Sequence, residues 1–272
     1  MKHVVKPGTL LILLILVSAG CKRNQHYSGL EAALEKEEDV RFEQAMVGPQ
    51  EDGTYIVATT QKIDPAGKTV QFPGRPMDLA ISPDQSQLVI KNKSDLVFMD
   101  LATQSIIQIL PLISGGHTFA GIDWSEDGKK VWTTDTRGYL RSASRGEDEV
   151  FKWTEEILFP GPREDDKNAL PGGFAIDPIN RLMYVALSRN NSVGVVNLKT
   201  NTVESQIPVG IAPYTVVLLG QKAYVSNWGG RKPTNNDTTG PTSGSQAVVD
   251  PSTGIASTGT VSVIDISNSS VT

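Results

Sequence analysis

The chain is poor in the residues that most often carry chemistry. One cysteine among 272 residues excludes an internal disulfide framework and a cysteine-rich zinc site. There are three histidines, and only His117 lies beyond the first 26 residues. Acids outnumber bases, and the net charge of −5 gives no electrostatic grip on a phosphate backbone, so nucleic acid is not an expected partner. Motifs of zinc hydrolases, phosphate-binding loops, dinucleotide folds and EF-hands are absent. No cofactor, catalytic residue or metal ligand set is therefore assigned. The one long apolar run, Leu10 to Val17, falls far short of the ~20 residues of a membrane-spanning helix. Punctuation, in contrast, is plentiful. With 25 glycines, 16 prolines and 39% hydrophobic residues, the sequence reads as a packed core built from many short strands.

The N-terminus reads as an export signal over residues 1–20. Lys2, His3 and Lys6 precede the apolar run, and Ser18, Ala19 and Gly20 follow it. Val17-Ser18-Ala19-Gly20-Cys21 resembles a bacterial lipobox, although Ser18 stands where leucine is usual. The resemblance implies acylation of Cys21, a lipid anchor to the cell envelope and, with Lys22 next, placement at the outer membrane. Residues 21–52 then form a lipidated tether. Within it Ser28-Gly29-Leu30-Glu31 has capping-box spacing, and Leu30, Ala33, Leu34 and Phe42 predict one face of a short helix.

From residue 53 to 272 the pattern changes to short alternating strands that recur. Met77–Ile81, a turn at Ser82-Pro83-Asp84, and Leu88–Ile90 make the first copy. Ala120–Trp124 with Val131–Thr133, Gly173–Ile176 with Met183–Val185, and Pro213–Val217 with Ala223–Val225 make three more. A repeat of roughly 40 residues with four strands per unit predicts an all-β chain of four-stranded antiparallel β-propeller blades. Asp84, Asp127 and Asp177 recur at the same hairpin, which suits turn geometry better than catalysis.

Tyr224-Val225-Ser226-Asn227, Tyr184-Val185-Ala186-Leu187, Val193–Asn197 and Val261–Asp265 resemble the YVTN-repeat β-propeller family. Lys222–Arg231, Val249–Gly254 and Gly259–Val263 are similar to bacterial proteins that fuse such a propeller to an alkaline-phosphatase-type phosphoesterase. That likeness implies a longer parent. The fourth repeat reaches Thr272 where its outer strand is due, so the ring is expected to be incomplete and any phosphoesterase chemistry to lie beyond Thr272.

Two departures from the repeat remain. Between Trp228 and Gly259 a long insertion carries Arg231, Lys232, Asp237 and Asp250. The bases suit an anionic group and the two acids suit calcium, while a plain surface loop is the simpler expectation. Ser142 to Asn168 reads as a second insertion whose acids are solvated. His117, in Gly115-Gly116-His117-Thr118, is expected to be a loop histidine bonded to backbone or water. The expected function is a lipid-anchored extracytoplasmic module that binds or scaffolds an unassigned protein or small molecule. The alternative is a lactonase-like propeller hydrolase for sugar lactones, which requires acid, base or metal-ligating residues converging from several blades. A redox propeller fares worst, since no Cys-x-x-Cys-His haem signature is present.

Overall fold

The computed structural model describes residues 46–163, 168–242 and 244–272. Cys21, the export signal and the helix expected between Ser28 and Phe42 lie outside the described residues, as do Glu164, Asp165 and Asp166. The chain divides into two compact units, 1–69 and 70–272. In the described part of the first, β1 (Gly48–Pro49), β2 (Tyr55–Ile56) and β3 (Lys62–Ile63) form a small antiparallel sheet. The sequence boundary at residue 53 falls inside this sheet, and the first full blade begins only at Pro76.

The second unit is all β among the described residues, in four blades of four antiparallel strands. Blade 1 is β4 (Pro76–Ile81), β5 (Gln87–Asn92), β6 (Asp95–Asp100) and β7 (Ser105–Pro111). Blade 2 is β8 (His117–Trp124), β9 (Lys130–Asp135), β10 (Tyr139–Arg145) and β11 (Phe151–Leu158). Blade 3 is β12 (Pro171–Asp177), β13 (Leu182–Leu187), β14 (Ser192–Asn197) and β15 (Thr202–Pro208). Blade 4 opens with β16 (Ile211–Leu219) and β17 (Lys222–Gly230). A two-stranded excursion follows, β18 (Thr239–Pro241) and β19 (Gln246–Val248), before β20 (Thr260–Asp265) and β21 (Ser270–Val271) resume the blade. Strand order within each blade follows the chain, and the first strands of successive blades are neighbours. The expected second insertion is corrected here. Ser142–Arg145 end β10 and Phe151–Leu158 are the outer strand β11, so among the described residues of that stretch the irregular parts are the turn at 146–150, the connection at 159–163 and residue 168. The alternation of Phe151, Trp153 and Ile157 with polar residues was the signal for that strand.

A blade is a sheet with two faces, and each face needs cover. Between blades 1 and 2, Phe98 stacks on Phe151 at 4.2 Å with Trp124 edge-on to both, and Trp124 Nε1–H donates to the Ala80 carbonyl at 3.0 Å. Between blades 2 and 3 the core is Trp132, Leu140, Ile157 and Phe159 against Phe174, Met183 and Val185. Between blades 3 and 4, Tyr184, Val193 and Val195 meet Val216, Ala223, Val225 and Ile264. Each large side chain so buried contributes about 1.5–3 kcal/mol. Interblade packing thus takes the place of a single central core.

The first strands approach too closely for side chains at two points. A Cβ on Gly172 would lie 2.5 Å from the Tyr214 carbonyl oxygen, and one on Gly121, whose φ is +99°, would collide with the Gly172 carbonyl. Only glycine lets backbone meet backbone here.

Candidate functional site

Four-stranded antiparallel blades have two distinct ends. One carries the turns between first and second strands, where Asp84, Asp127 and Asp177 do what their recurrence predicted. Asp84 accepts from the Ser86 amide at 3.0 Å, Asp127 from the Lys129 amide at 3.1 Å, and Asp177 from the Ile179 and Asn180 amides, each at 3.0 Å. The other end carries the second-to-third-strand turns and the connections between blades. The 231–259 insertion joins β17 to β20 and so belongs to this second end.

The insertion has internal order. The Arg231 guanidinium forks onto the Asp237 carboxylate at 2.5 and 2.7 Å, and that carboxylate also accepts from the Thr234 amide and hydroxyl at 2.7 Å. These donors hold Asp237 well below the usual carboxylate range, the Arg231 bond most of all. Asp250 caps a separate turn, with Oδ1 accepting from Ser252 Oγ at 2.5 Å and from the Ser252 and Thr253 amides at 2.9 Å. Arg231 and Asp237 are therefore brought together, whereas Asp250 is not joined to them. Lys232 is exposed, its carbonyl accepting from Arg231. No group of three or more His, Cys, Asp or Glu among the described residues is arranged to hold a metal ion. The β18–β19 hairpin reaches back to blade 3, where Asn191 Nδ2 donates to Ser245 Oγ at 2.5 Å.

At the same end the structure assembles a buried polar cluster between blades 1 and 2. Lys91 is wholly buried, and its ammonium reaches Ala120 O at 2.7 Å, Gly121 O at 2.9 Å, Thr134 Oγ1 at 3.0 Å and Thr118 Oγ1 at 3.2 Å. Burial pushes its pKa well below the usual lysine range, against the pull of Asp78 and Asp135. Thr134 passes the connection on, its hydroxyl lying 3.0 Å from the Gly172 carbonyl of blade 3. Asp135 is fully buried and accepts from Arg141 Nε at 2.6 Å and from the Arg137 and Tyr139 amides. Arg141, 2% exposed, also pairs with Glu156 and lies over the Tyr139 ring.

His117 belongs to this cluster, which corrects the expectation of a loop histidine. It opens β8, is 4% exposed, and its Nδ1–H donates to the Asn92 carbonyl at 2.7 Å. The backbone bond was expected and the burial was not. Nε2 is buried with no hydrogen-bond partner. Burial first, then the positive charges of Lys91 and Arg141, pull its pKa down to about 4. The ring is neutral at pH 7, with its lone pair on Nε2.

The partners of the Lys91 nitrogen are all carbonyl and hydroxyl oxygens, and the hydrogen bond His117 makes is to a backbone carbonyl. Comparing the copies would have flagged the lysine. Strand pairing aligns Lys91 with Thr134, Ala186 and Ser226, so a long cation stands where the other blades carry small side chains.

At the opposite end, a cleft of about 480 Å³ between blades 2 and 3 is lined by Lys129, Lys130, Arg145 and Arg181 over Trp132 and Ile176. Glu155 neutralises Lys130 at 2.6 Å and Glu149 meets Arg145 at 3.2 Å, which leaves little positive field for an anion.

No protein-family model and no curated protein sequence matches the chain. Solved structures do. Hydrazine synthase of Kuenenia stuttgartiensis is similar over 76% of this chain and 51% of that one, with a TM-score of 0.54 at 18% identity. U3-55K matches 75% of this chain and 52% of its own, with a TM-score of 0.52 at 16% identity. The WD40 repeats of RRP9 give the same coverages and TM-score at 15% identity. The chain thus spans about half the length of the structures it matches. At these identities the likeness concerns the fold alone, and together with the four blades it makes the second unit a β-propeller fold.

Proposed function

We propose that the chain is a lipid-anchored, extracytoplasmic binding or scaffolding propeller of the YVTN-repeat type, the N-terminal part of a longer propeller–phosphoesterase protein. Its binding end is the one that carries the 231–259 insertion. The observation that carries this reading is the construction of that end. The insertion is held in shape by the Arg231–Asp237 fork and its tie to Asn191 of blade 3, while at the same end Lys91 is bonded across blades 1 and 2 and Asp135 is paired with Arg141 within blade 2. A loop fixed in shape at one end of the blades suits recognition. Lys232, two residues beyond the end of β17, supplies an exposed cation at the start of this feature.

Two measurements test the proposal. A photocrosslinking residue at Lys232 is expected to yield adducts in cells that express the chain, and one at Ile179, in the opposite-end turn, to yield none. Equal adducts from both positions would sink the assignment of the binding end. The anchor is tested separately, since Cys21→Ser is expected to release the chain from the membrane fraction and to remove the lipid from its mature mass. Membrane association and mass unchanged from the parent would remove lipidation from the proposal. Sugar-lactone turnover on addition of a divalent metal would replace binding with the hydrolase reading.

A further inference from the structure

The seam between blades 2 and 3 has both of its walls among the described residues, and at the end of the first-to-second-strand turns it opens into the cleft of about 480 Å³. The repeat shows why it opens there. Strand pairing puts Trp124 of blade 2 and Ile176 of blade 3 at the same position, each turned to the blade before. Between blades 1 and 2 the Trp124 indole fills that position and bonds to the Ala80 carbonyl. Between blades 2 and 3 the smaller Ile176 leaves room, and with Trp132 and Leu198 it forms an apolar floor.

Trp132 supplies a second observation. It is 4% exposed, yet its indole N–H has no hydrogen-bond partner among the described residues, unlike that of Trp124. A buried indole N–H ordinarily finds an acceptor. This one still touches solvent, and Trp132 lines the cleft. The rim carries both signs. Lys130 and Arg145 are paired with Glu155 and Glu149, and Lys129 lies near enough to Asp127 to help hold its carboxyl below the ordinary value. Arg181 on the blade 3 wall and Glu126 on the blade 2 wall have no ionic partner.

We infer that this cleft binds a zwitterionic amino acid with a large apolar side chain. Its carboxylate is the acceptor that the Trp132 N–H lacks and the partner of Arg181, its ammonium pairs with Glu126, and its side chain covers Ile176 and Leu198. Charge complementarity selects the class. One unpaired cation and one unpaired anion stand on the two walls of an apolar floor, so an organic acid or an amine satisfies only half of the site. The volume is that of a small-molecule site. The inference is independent of the proposed binding end. Ile179 is 89% exposed and does not line the cleft, so a ligand held here leaves the crosslinking contrast between Lys232 and Ile179 as stated.

The test is calorimetric titration of the full chain, in mild detergent, with L-phenylalanine and L-leucine. Saturable binding with a Kd of roughly 1 mM or below is expected for both. Phenylpropionate, phenethylamine and glycine lack the ammonium, the carboxylate and the apolar side chain in turn, and each is expected to bind at least about tenfold more weakly. Arg181→Gln and Glu126→Gln are expected to weaken phenylalanine binding by a similar factor. Trp132→Phe keeps a ring and drops the N–H, and is expected to weaken it about fivefold, with an unfolding midpoint near the parent's confirming that the seam is intact. No saturable binding of either amino acid overturns the inference. So do variants that bind phenylalanine as the parent does, which would place binding elsewhere, and phenylpropionate binding as tightly as phenylalanine, which would make the cleft a simple anion site.

Discussion

Replacing Lys91 by alanine is expected to destabilise the propeller by roughly 4 kcal/mol, measured by urea unfolding at pH 7.5. Two losses add. The stem of a wholly buried lysine vanishes from between blades 1 and 2, and the carbonyls of Ala120 and Gly121 and the hydroxyls of Thr118 and Thr134 lose a shared donor. Lys91→Met separates them, because methionine keeps most of the stem and supplies no proton. It also removes the cost of keeping a cation out of water, which burial has made large here. Lys91→Met is therefore expected to cost less than half as much as Lys91→Ala. Equal losses in the two variants would mean that the hydrogen bonds, and not the volume, fasten blade 1 to blade 2.

The cluster around Lys91 marks where sequence reading stopped. Blade strands were legible because covering both faces of each sheet forces apolar residues at period two, and the turn acids recur because each hairpin needs the same amide caps. The outer strand of blade 2 was missed because Glu147-Asp148-Glu149 and Glu155-Glu156 hid the alternation of Phe151, Trp153 and Ile157. Charge at solvent-facing positions of an outer strand costs nothing, so composition there misleads. The insertion was found from its length, but which of its charges meet was not. Arg231 and Asp237 join across a turn, while Asp250 caps another, and spacing alone does not separate those outcomes. Lys91 and His117 escaped for a different reason. Their environment comes from residues 25 to 43 positions away on a neighbouring blade, and no local pattern encodes it.

The propeller is expected to lose roughly 3 kcal/mol of stability between pH 6.5 and pH 4, and His117→Asn to lose little of that slope's worth over the same range. The fold holds the His117 pKa near 4, below the 6.5 of an unfolded histidine, so within that window the unfolded chain binds the extra proton. Stability is full above about 6.5 and falls as pH drops towards 4. The cause is physical crowding of charge. Protonated His117 would be a buried cation near those of Lys91 and Arg141, with no acceptor for Nε2–H. Above about pH 5 few other described groups interfere. Asp52, Asp84, Asp100, Asp127, Asp148, Asp237, Asp250 and Asp265 are held below their ordinary values by local donors, so they too lose stabilisation as pH falls towards the ordinary carboxylate value, at the acid end of the window. Asp123 is raised by burial and acts in the opposite sense at the acid edge of the window. Asparagine places an amide N–H where Nδ1–H stood and carries no proton to gain. Urea midpoints at pH 7.5, 5.5 and 4.5 compare the two proteins, and parallel slopes would assign the acid sensitivity to groups other than His117.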